Sequence, residues 1–148
     1  MQPDLFDPTF NLGITGTKRG GTVKQLEKAQ ERLKKMFTGG FKNLHHGDCI
    51  GFDAQIHEIA LPIGFCITIH PPRNSSRRAF CKGACLVLPT KDYLDRNHDI
   101  VKESESMIAG PGEVEEQLRS GTWATIRYAK KSGVCLEIIF PDGSMIDV

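Results

Sequence analysis

This chain of 148 residues contains no apolar run near the roughly 20 residues that a membrane-spanning helix requires. It also lacks the pattern of a secretion signal. Its first residues, MQPDLFDPTF, carry acids and prolines where a signal has a basic start and an apolar centre. The sequence therefore predicts no membrane span and a cytoplasmic location.

A strong net charge is missing as well. The formal net charge is +1 at pH 7, which provides no overall field to hold a polyanion. Aromatic residues make up only 7% of the chain, whereas proteins that bind single-stranded nucleic acid usually pair a basic groove with stacked rings. The rings suited to stacking are Phe80, Tyr93, Trp123 and Tyr128. These absences disfavour nucleic-acid binding, and local basic patches must be judged separately.

The five cysteines are odd in number and do not have the spacing of a disulfide framework. Cys66 and Cys135 lie inside apolar, strand-like runs, where cysteine behaves as a small hydrophobic residue. Reduced thiols are therefore expected. Cys81 and Cys85 could join a histidine such as His70 around zinc, but no two-plus-two ligand spacing appears. The sequence predicts neither a metal nor a cofactor.

What is present is the composition of a globular domain. Hydrophobic residues make up 39% of the chain and charged residues 25%, and the length is sufficient to bury a substantial core. We expect an N-terminal arm at 1–10 and a single domain over 11–148. Within that domain we expect a long basic loop at 71–92.

The segment 11–21, NLGITGTKRGG, predicts a phosphate-binding turn between a strand and a helix. Its apolar start suits a buried strand, and its glycines allow backbone N–H groups to approach a ligand closely. The helix that begins at Thr22 would direct the positive end of its dipole at that ligand. Neither the dinucleotide-binding pattern nor the Walker pattern fits the glycine spacing. The alternative is a tight turn that binds nothing.

A second polar cluster follows the next predicted strand. His46, Gly47 and Asp48 close that strand, and Asp53 can cap the helix that comes after it. Because the carboxyl ends of parallel strands lie at one edge of a sheet, this cluster would face the same crevice as the glycine-rich turn. The alternative is that both aspartates only accept hydrogen bonds from loop amides.

A long segment without periodicity separates the third predicted strand from the third helix. Residues 73–91 contain five basic residues and no acidic one. A loop of this length inside a compact domain is usually functional or mobile. Because it follows the carboxyl end of a strand, Arg78 or Arg73 would be well placed to neutralise a bound phosphate.

Apolar runs alternate with amphipathic segments along the chain. Strands are predicted near 12–16, 41–46, 65–69, 106–109 and 134–140, and helices near 22–37, 53–63, 92–104 and 123–131. Parallel strands joined by helices require right-handed crossovers. The predicted fold class is α/β, a three-layer domain with a parallel sheet of about five strands and helices on both faces.

Five separated motifs stand out in this order: GITGTKRG, HHGDCIGFDAQIHEIA, DYLDRNHDIV, IAGPG and RSGTWATIRYAKKSG. Together they resemble the SLOG superfamily of Rossmann-like proteins, which includes DNA-processing protein A (DprA) and the Lonely Guy phosphoribohydrolases. The chain is most similar to the small, stand-alone bacterial or phage members, from Leu12 to Gly143. The resemblance implies a Rossmann-like fold with one pocket for a nucleotide or a phosphoribosyl group.

The resemblance places the ligand on four elements. They are the first glycine-rich loop, the end of the second strand, the arginine at the start of the third helix, and the late loop before the fourth helix. Tyr93 is added as a stacking ring and Arg78 as a basic contact from the long loop. The predicted ligand-binding residues are Gly16, Thr17, Lys18, Arg19, Gly20, His46, Gly47, Asp48, Asp53, Arg78, Tyr93, Arg96, Asn97, Gly110, Pro111, Gly112, Ser120, Gly121 and Thr122.

Three functions follow as hypotheses. The leading one is binding of a nucleotide or nucleotide-derived small molecule, as a sensor or sequestering protein. The alternative is a phosphoribohydrolase or N-glycosidase in which Arg96 works with Glu113 or Glu116, because Ala124 stands where Lonely Guy enzymes carry their glutamate. The third is single-stranded DNA binding, since residues 119–122 resemble DprA. Relatives often pair through helices, so a homodimer or higher homo-oligomer is also expected.

Overall fold

Strands and helices alternate along residues 8–148, the part of the chain that the computed structural model describes. In chain order these elements are β1 (Phe10–Gly16), α1 (Val23–Thr38), β2 (Phe41–His46), α2 (Phe52–Ile63), β3 (Cys66–Ile69), β4 (Leu86–Val87), α3 (Tyr93–Glu103), β5 (Ser106–Gly110), α4 (Gly121–Lys131), β6 (Cys135–Ile139) and β7 (Met145–Asp147). The strands form one sheet in the order β4-β3-β2-β1-β5-β6-β7. All neighbours are parallel except β6 and β7, which are antiparallel.

This architecture confirms the predicted α/β class and adds two strands to the five expected. The two-residue strand β4 lies inside the basic loop, and both of its side chains are exposed. The three-residue strand β7 forms a hairpin with β6, and its side chains are also largely exposed. Neither has the apolar run that identifies a buried strand. Residues 1–7 of the expected arm lie outside the described residues, and Phe10 already belongs to β1.

Two apolar layers separate the sheet from its helices. One layer holds α1 and α2 against the sheet, and the other holds α3 and α4 against its opposite face. The first contains Leu12, Ile14, Ala29, Leu33, Leu44, Phe52, Ile56, Ile67 and Ile108 among its buried residues. The second contains Ile100, Val101, Met107, Ala109, Trp123, Ile126, Leu136 and Ile138. Helices therefore cover both faces, as the sequence predicts.

Helix α1 is tied at its start to the ends of two strands. Thr22 and Gln25 form a reciprocal capping box, with 3.1 Å from the Gln25 amide to the Thr22 hydroxyl and 3.2 Å from the Thr22 amide to the Gln25 side chain. The buried Gln25 Nε2 then donates to the carbonyls of Pro111 at 2.9 Å and Ile139 at 2.7 Å. The glycine-rich turn is thereby held beside the loop that follows β5.

Two glycines at the carboxyl edge accommodate the first residue of α2. A Cβ atom added to Gly16 or Gly110 would overlap the ring of Phe52, which is fully buried. The ends of β1 and β5 therefore approach the start of α2 closely, and glycine is required for that approach.

The helices of the described chain are short. They contain 16, 12, 11 and 11 residues, whereas a membrane span needs about 20 apolar residues. Among residues 8–148, no helix combines the length and the apolar character needed to cross a membrane.

A disulfide joins Cys66 of β3 to Cys85, the residue before β4. The expectation of reduced thiols is wrong for this pair, because the Cys66 and Cys85 Cα atoms lie 5.6 Å apart across adjacent strands. β4, which brings them together, is too short to be foreseen. Cys49, Cys81 and Cys135 carry free thiols. The bond also removes Cys85 from any zinc site.

Candidate functional site

Two adjoining cavities form a crevice along the carboxyl edge of the sheet. The helix cavity, at the start of α4, has a volume of about 370 Å³, and the loop cavity, beside the basic loop, has about 570 Å³. The helix cavity is lined by Thr17, Lys18, Arg19, Arg77, Tyr93, Gly112, Glu113, Arg119, Ser120, Gly121 and Thr122. The loop cavity is lined by Lys18, Cys49, Pro72, Arg73, Asn74, Ser76, Arg77, Asp92 and Tyr93. Lys18, Arg77 and Tyr93 belong to both, so the two cavities are continuous.

The start of α4 supplies backbone donors to the helix cavity. Ser120 caps the helix by accepting from the Trp123 amide at 3.2 Å. Gly121 and Thr122, the first two helical residues, line the cavity, and amides in a first turn have no acceptor within their own helix. These amides and the positive end of the helix dipole favour an anion at this position.

Positive charge exceeds negative charge along the crevice. Two of its basic side chains are paired: Arg19 lies 2.5 Å from Glu113, and Arg73 lies 2.8 Å from Asp92. The unpaired cations, which have no acidic partner within ion-pair distance in residues 8–148, are Lys18, Arg77 and Arg119. An anionic ligand would supply the missing negative charge.

The basic loop is anchored by Asp48, which is completely buried. The Asp48 carboxylate accepts from Arg78 Nε at 2.8 Å and from the Cys81 amide at 3.0 Å. Burial by itself would raise the pKa of Asp48, but these two donors outweigh it and hold the pKa below its usual value. The backbone of Asp48 also accepts from the Ala79 amide at 2.7 Å. Asp48 and Arg78, predicted as ligand contacts, are therefore engaged with each other, and Arg77 lines the crevice.

Buried histidines support the same anchor. The Asp48 amide donates to His46 Nδ1 at 2.9 Å, so the His46 proton is on Nε2, which lies 2.9 Å from His57 Nδ1. His57 Nε2 in turn donates to the Lys82 carbonyl at 2.7 Å. The hydrogen bonds thus assign a neutral tautomer to both rings. His46, another predicted ligand residue, is fully buried and connects β2 to α2 and the loop.

His46, His57 and Cys81 form the one group of potential metal ligands in residues 8–148, with ligand atoms within 4.8 Å of one another. Each ring nitrogen of the two histidines already has a hydrogen-bond partner. Burial and the neighbouring Asp48 raise the pKa of the Cys81 thiol to about 12, which keeps the sulfur protonated. The group is satisfied by hydrogen bonds, and we assign no metal to it.

Beneath the crevice, Arg96 holds the turn that follows β2. Arg96 as a whole residue is only 2% exposed. Its Nη1 donates to the carbonyls of Gly47 and, at 3.3 Å, His70, and its Nη2 lies 3.6 Å from Cys49 Sγ. The Tyr93 ring covers it, with the guanidinium carbon 4.6 Å from the ring centroid. Arg96 therefore joins the ends of β2 and β3 to the start of α3.

Asp53 lies close to this arginine at the start of α2. Its Oδ2 accepts from the amides of Gly47 at 3.1 Å and Cys49 at 3.3 Å. Burial raises the pKa of Asp53 to about 6, although the charge of Arg96 and these amides act in the opposite direction. The predicted helix-capping role is replaced by a bond to the preceding turn, and α2 has no side-chain cap.

The predicted ligand residues divide into three groups. Thr17, Lys18, Arg19, Tyr93, Gly112, Ser120, Gly121 and Thr122 line the helix cavity. Gly16, Gly47, Asp53, Arg96 and Asn97 line a much smaller cavity below it. Gly20, His46, Asp48, Arg78, Gly110 and Pro111 make the internal bonds and close approaches that shape the surrounding loops.

The residues of the enzyme hypothesis lie in different surroundings. Glu113 lines the helix cavity, where it pairs with Arg19 and accepts from Trp123 Nε1 at 3.1 Å. Glu116 lies 3.2 Å from Arg127 of α4. Arg96 lies in the small cavity instead. The structure does not bring the arginine and the glutamates into one cavity.

Sequence reasoning missed most of the loop cavity. Its wall includes Cys49, Asn74, Ser76, Arg77 and Asp92, none of which was predicted to contact a ligand. The basic composition of residues 73–91 was the available signal, but it could not tell which arginine turns outward. That choice depends on the bond between Asp48 and Arg78, which are 30 residues apart.

No protein-family model and no curated protein matches the sequence. Solved structures do resemble the fold. The molybdenum cofactor binding protein of Rippkaea orientalis is 17% identical with a TM-score of 0.67, over 90% of this chain and 77% of that one. The molybdenum cofactor carrier protein of Chlamydomonas reinhardtii is 18% identical with a TM-score of 0.66, over 88% and 76%. TM1055, a structural-genomics target, is 14% identical with a TM-score of 0.65, over 86% of this chain and 72% of that one.

At these identities the likeness concerns the fold. It supports a Rossmann-like arrangement of the parallel sheet and its helices, as the motifs had suggested. What the chain shares with these proteins is their Rossmann-like α/β fold.

Proposed function

We propose that the protein binds a phosphorylated small molecule of the nucleotide class in the crevice at the carboxyl edge of the sheet. The observation that carries this proposal is the convergence of the α4 start with Lys18, Arg77 and Arg119, which have no acidic partners in the described chain. Backbone amides and unpaired cations together form the usual environment of a phosphate group.

The division of the crevice suggests how such a ligand lies. The phosphate occupies the helix cavity beside Gly121 and Thr122, where the helix amides and Arg119 are available. Tyr93 borders both cavities, so its partly exposed ring can contact a heterocyclic base, and Lys18 lies 5.2 Å from the centroid of that ring. The two volumes, about 370 and 570 Å³, fall within the usual range of roughly 300–1,000 Å³ for small-molecule sites.

The molybdenum cofactor is a second candidate ligand. Two of the similar structures are described as a molybdenum cofactor binding protein and a molybdenum cofactor carrier protein. Their likeness to this chain concerns the fold, so the cofactor has to be tested directly beside the nucleotides. Turnover of a nucleotide receives less support from the geometry, because Arg96 and Glu113 line separate cavities.

A thermal-shift panel with product recovery tests the proposal. The panel contains adenosine mono-, di- and triphosphate, adenosine as the matched ligand without phosphate, the molybdenum cofactor, and a single-stranded oligonucleotide. A ligand at 100 times its dissociation constant stabilises the folded protein by about 2.7 kcal/mol. We expect the phosphorylated nucleotides, and not adenosine, to raise the melting temperature and to be recovered intact.

Other outcomes of this panel are equally informative. Recovery of free base and sugar phosphate would replace simple binding with glycosidase activity. A shift with the oligonucleotide alone, lost steeply as salt is added, would replace it with single-stranded DNA binding. A shift with the molybdenum cofactor alone would transfer the proposal to that ligand. No shift with any phosphorylated compound would contradict it.

A further inference from the structure

Two buried polar atoms have no hydrogen-bond partner in the part of the chain that the structure describes. They are Asp53 Oδ1 and Arg96 Nε. Asp53 is 6% exposed and Arg96 is 2% exposed, so neither atom has a compensating contact with bulk solvent. An unpaired polar group at such depth carries a substantial free-energy cost. The other polar atoms of both side chains are bonded to the turn after β2 and, for Arg96, also to the His70 carbonyl after β3.

Both side chains line the same small cavity, called here the lower subsite. Its volume is about 10 Å³, which is close to the space that a single water-sized group occupies. Gly16, Gly47, Asn97 and Thr125 form other parts of its wall. The lower subsite is therefore too small for a phosphate or a ring, but it can admit one hydroxyl or amino group.

The lower subsite lies directly below the crevice. Cys49 and Tyr93 line both the lower subsite and the loop cavity. Tyr93 is 41% exposed, and both the Lys18 ammonium and the Arg96 guanidinium lie near its ring, 5.2 and 4.6 Å from the centroid. Because the two spaces share these wall residues, the lower subsite adjoins the crevice, within reach of a group on a ligand bound there.

The two unpaired atoms require complementary chemistry from that group. Arg96 Nε carries a hydrogen and needs an acceptor, whereas the Asp53 carboxylate oxygen needs a donor. A hydroxyl group both accepts and donates, and it has the size of the lower subsite. An ammonium group cannot accept from Arg96, and a carbonyl group cannot donate to Asp53.

We propose that the lower subsite binds a sugar hydroxyl of the ligand, with Asp53 Oδ1 as its acceptor and Arg96 Nε as its donor. This inference rests on the proposed function, because it requires a phosphorylated nucleotide in the crevice. It narrows the ligand class to phosphorylated molecules whose sugar carries a free hydroxyl. Ribonucleotides carry two such hydroxyls, at the 2′ and 3′ positions, and each deoxy analogue lacks one of them.

Equilibrium binding of three matched nucleotides to the full-length protein tests the inference. The probes are adenosine 5′-monophosphate and its 2′-deoxy and 3′-deoxy analogues. Removing the recognised hydroxyl leaves two buried groups unpaired, so one of the deoxy analogues is expected to bind about 10- to 100-fold more weakly than the ribonucleotide. The other deoxy analogue identifies the hydroxyl that remains outside the lower subsite.

The variant Asp53→Asn tests whether the lower subsite causes the difference in affinity between the ribonucleotide and its deoxy analogue. An asparagine oxygen can still accept from the Gly47 and Cys49 amides, while its amide nitrogen replaces the unpartnered Oδ1 acceptor. We expect Asp53→Asn to reduce the discrimination to less than about 3-fold. Asp142→Asn, an isosteric change in the exposed turn between β6 and β7, should retain the wild-type ratio.

The outcomes separate this inference from the function on which it rests. Equal binding of all three nucleotides by the wild-type protein would overturn the hydroxyl subsite and leave nucleotide binding intact. Discrimination that persists in Asp53→Asn would place the recognition elsewhere and also overturn the inference. If none of the three nucleotides binds, both proposals fail. The wild-type series decides the matter even if Asp53→Asn does not fold.

Discussion

Replacing Arg96 with methionine is expected to lower the free energy of unfolding by about 3–5 kcal/mol, the usual cost of removing one member of a buried charged network. The side chain is 2% exposed and donates to the carbonyls of Gly47 and His70. Methionine fills a similar volume but leaves both carbonyls without this donor. It also removes the positive charge that opposes the burial penalty on the Asp53 carboxylate.

Urea denaturation at pH 7 measures this loss, and Arg127→Met provides the matched control. Arg127 is a partly exposed arginine on α4 that lies 3.2 Å from Glu116, and its replacement should cost less than about 1 kcal/mol. Arg96→Lys retains a charge but has fewer donors, so we expect it to fall between methionine and the wild type. If Arg96→Met and Arg127→Met were equally stable, Arg96 would not hold the carboxyl edge together.

Acidification from pH 7 to pH 5 is expected to lower the free energy of unfolding by about 2–3 kcal/mol. Burial lowers the pKa of His46 to about 3 and that of His70 to about 4, against 6.5 for an unperturbed histidine. The folded chain therefore binds fewer protons than the unfolded chain between these values. The contribution of these two histidines to stability is fully present above about pH 6.5 and is lost as the pH falls towards 4 and 3.

Asp53 acts in the opposite direction. Because burial raises the pKa of Asp53 to about 6, its folded carboxyl binds a proton that the unfolded chain, with a value of 3.8, releases. Its contribution therefore increases as the pH falls from about 6 towards 4. Between pH 7 and 5 the two histidines together lower the free energy of unfolding by about 4 kcal/mol, and Asp53 raises it by about 1 kcal/mol. The effect of the histidines is therefore the larger one.

Denaturation at pH 5, 6 and 7 measures this dependence, with His70→Gln as the diagnostic variant. His70 lies 2.8 Å from His45, and other charged groups near it are Lys91, Arg96 and Asp99. Glutamine keeps a polar side chain but does not titrate, so the net loss between pH 7 and 5 should fall by about two thirds, to about 1 kcal/mol or less. A stability that does not change over this range would contradict the assignment of buried neutral histidines.

The elements predicted correctly from the sequence are those whose signal is local. The strands β1, β3, β5 and β6 have apolar runs, β2 lies between the glycines that end α1 and a polar cluster at its own end, and the four helices have amphipathic spacing. The strands β4 and β7 contain two and three residues with largely exposed side chains, so no pattern distinguishes them from loop. The disulfide between Cys66 and Cys85 depends on β4 and could not be foreseen for the same reason.

The candidate site shows the same division between local and long-range information. The glycine-rich turn and the start of α4 were predicted because their residues are adjacent in the sequence, and both line the helix cavity. The role of Asp48 depends instead on Arg78 and Cys81, which are 30 and 33 residues away along the chain. A carboxylate at a strand end can face either a ligand or its own protein, and only the fold distinguishes the two.

Calorimetric titration with adenosine 5′-monophosphate and with adenosine tests the central claim, that the basic crevice binds a phosphate group. The protein should bind the nucleotide at least about 100-fold more tightly than adenosine. Arg77→Met should weaken the nucleotide about 10-fold without changing the affinity for adenosine, whereas Lys130→Met at the exposed end of α4 should change neither. Equal affinities for the two compounds, or an unchanged nucleotide affinity in Arg77→Met, would contradict the account.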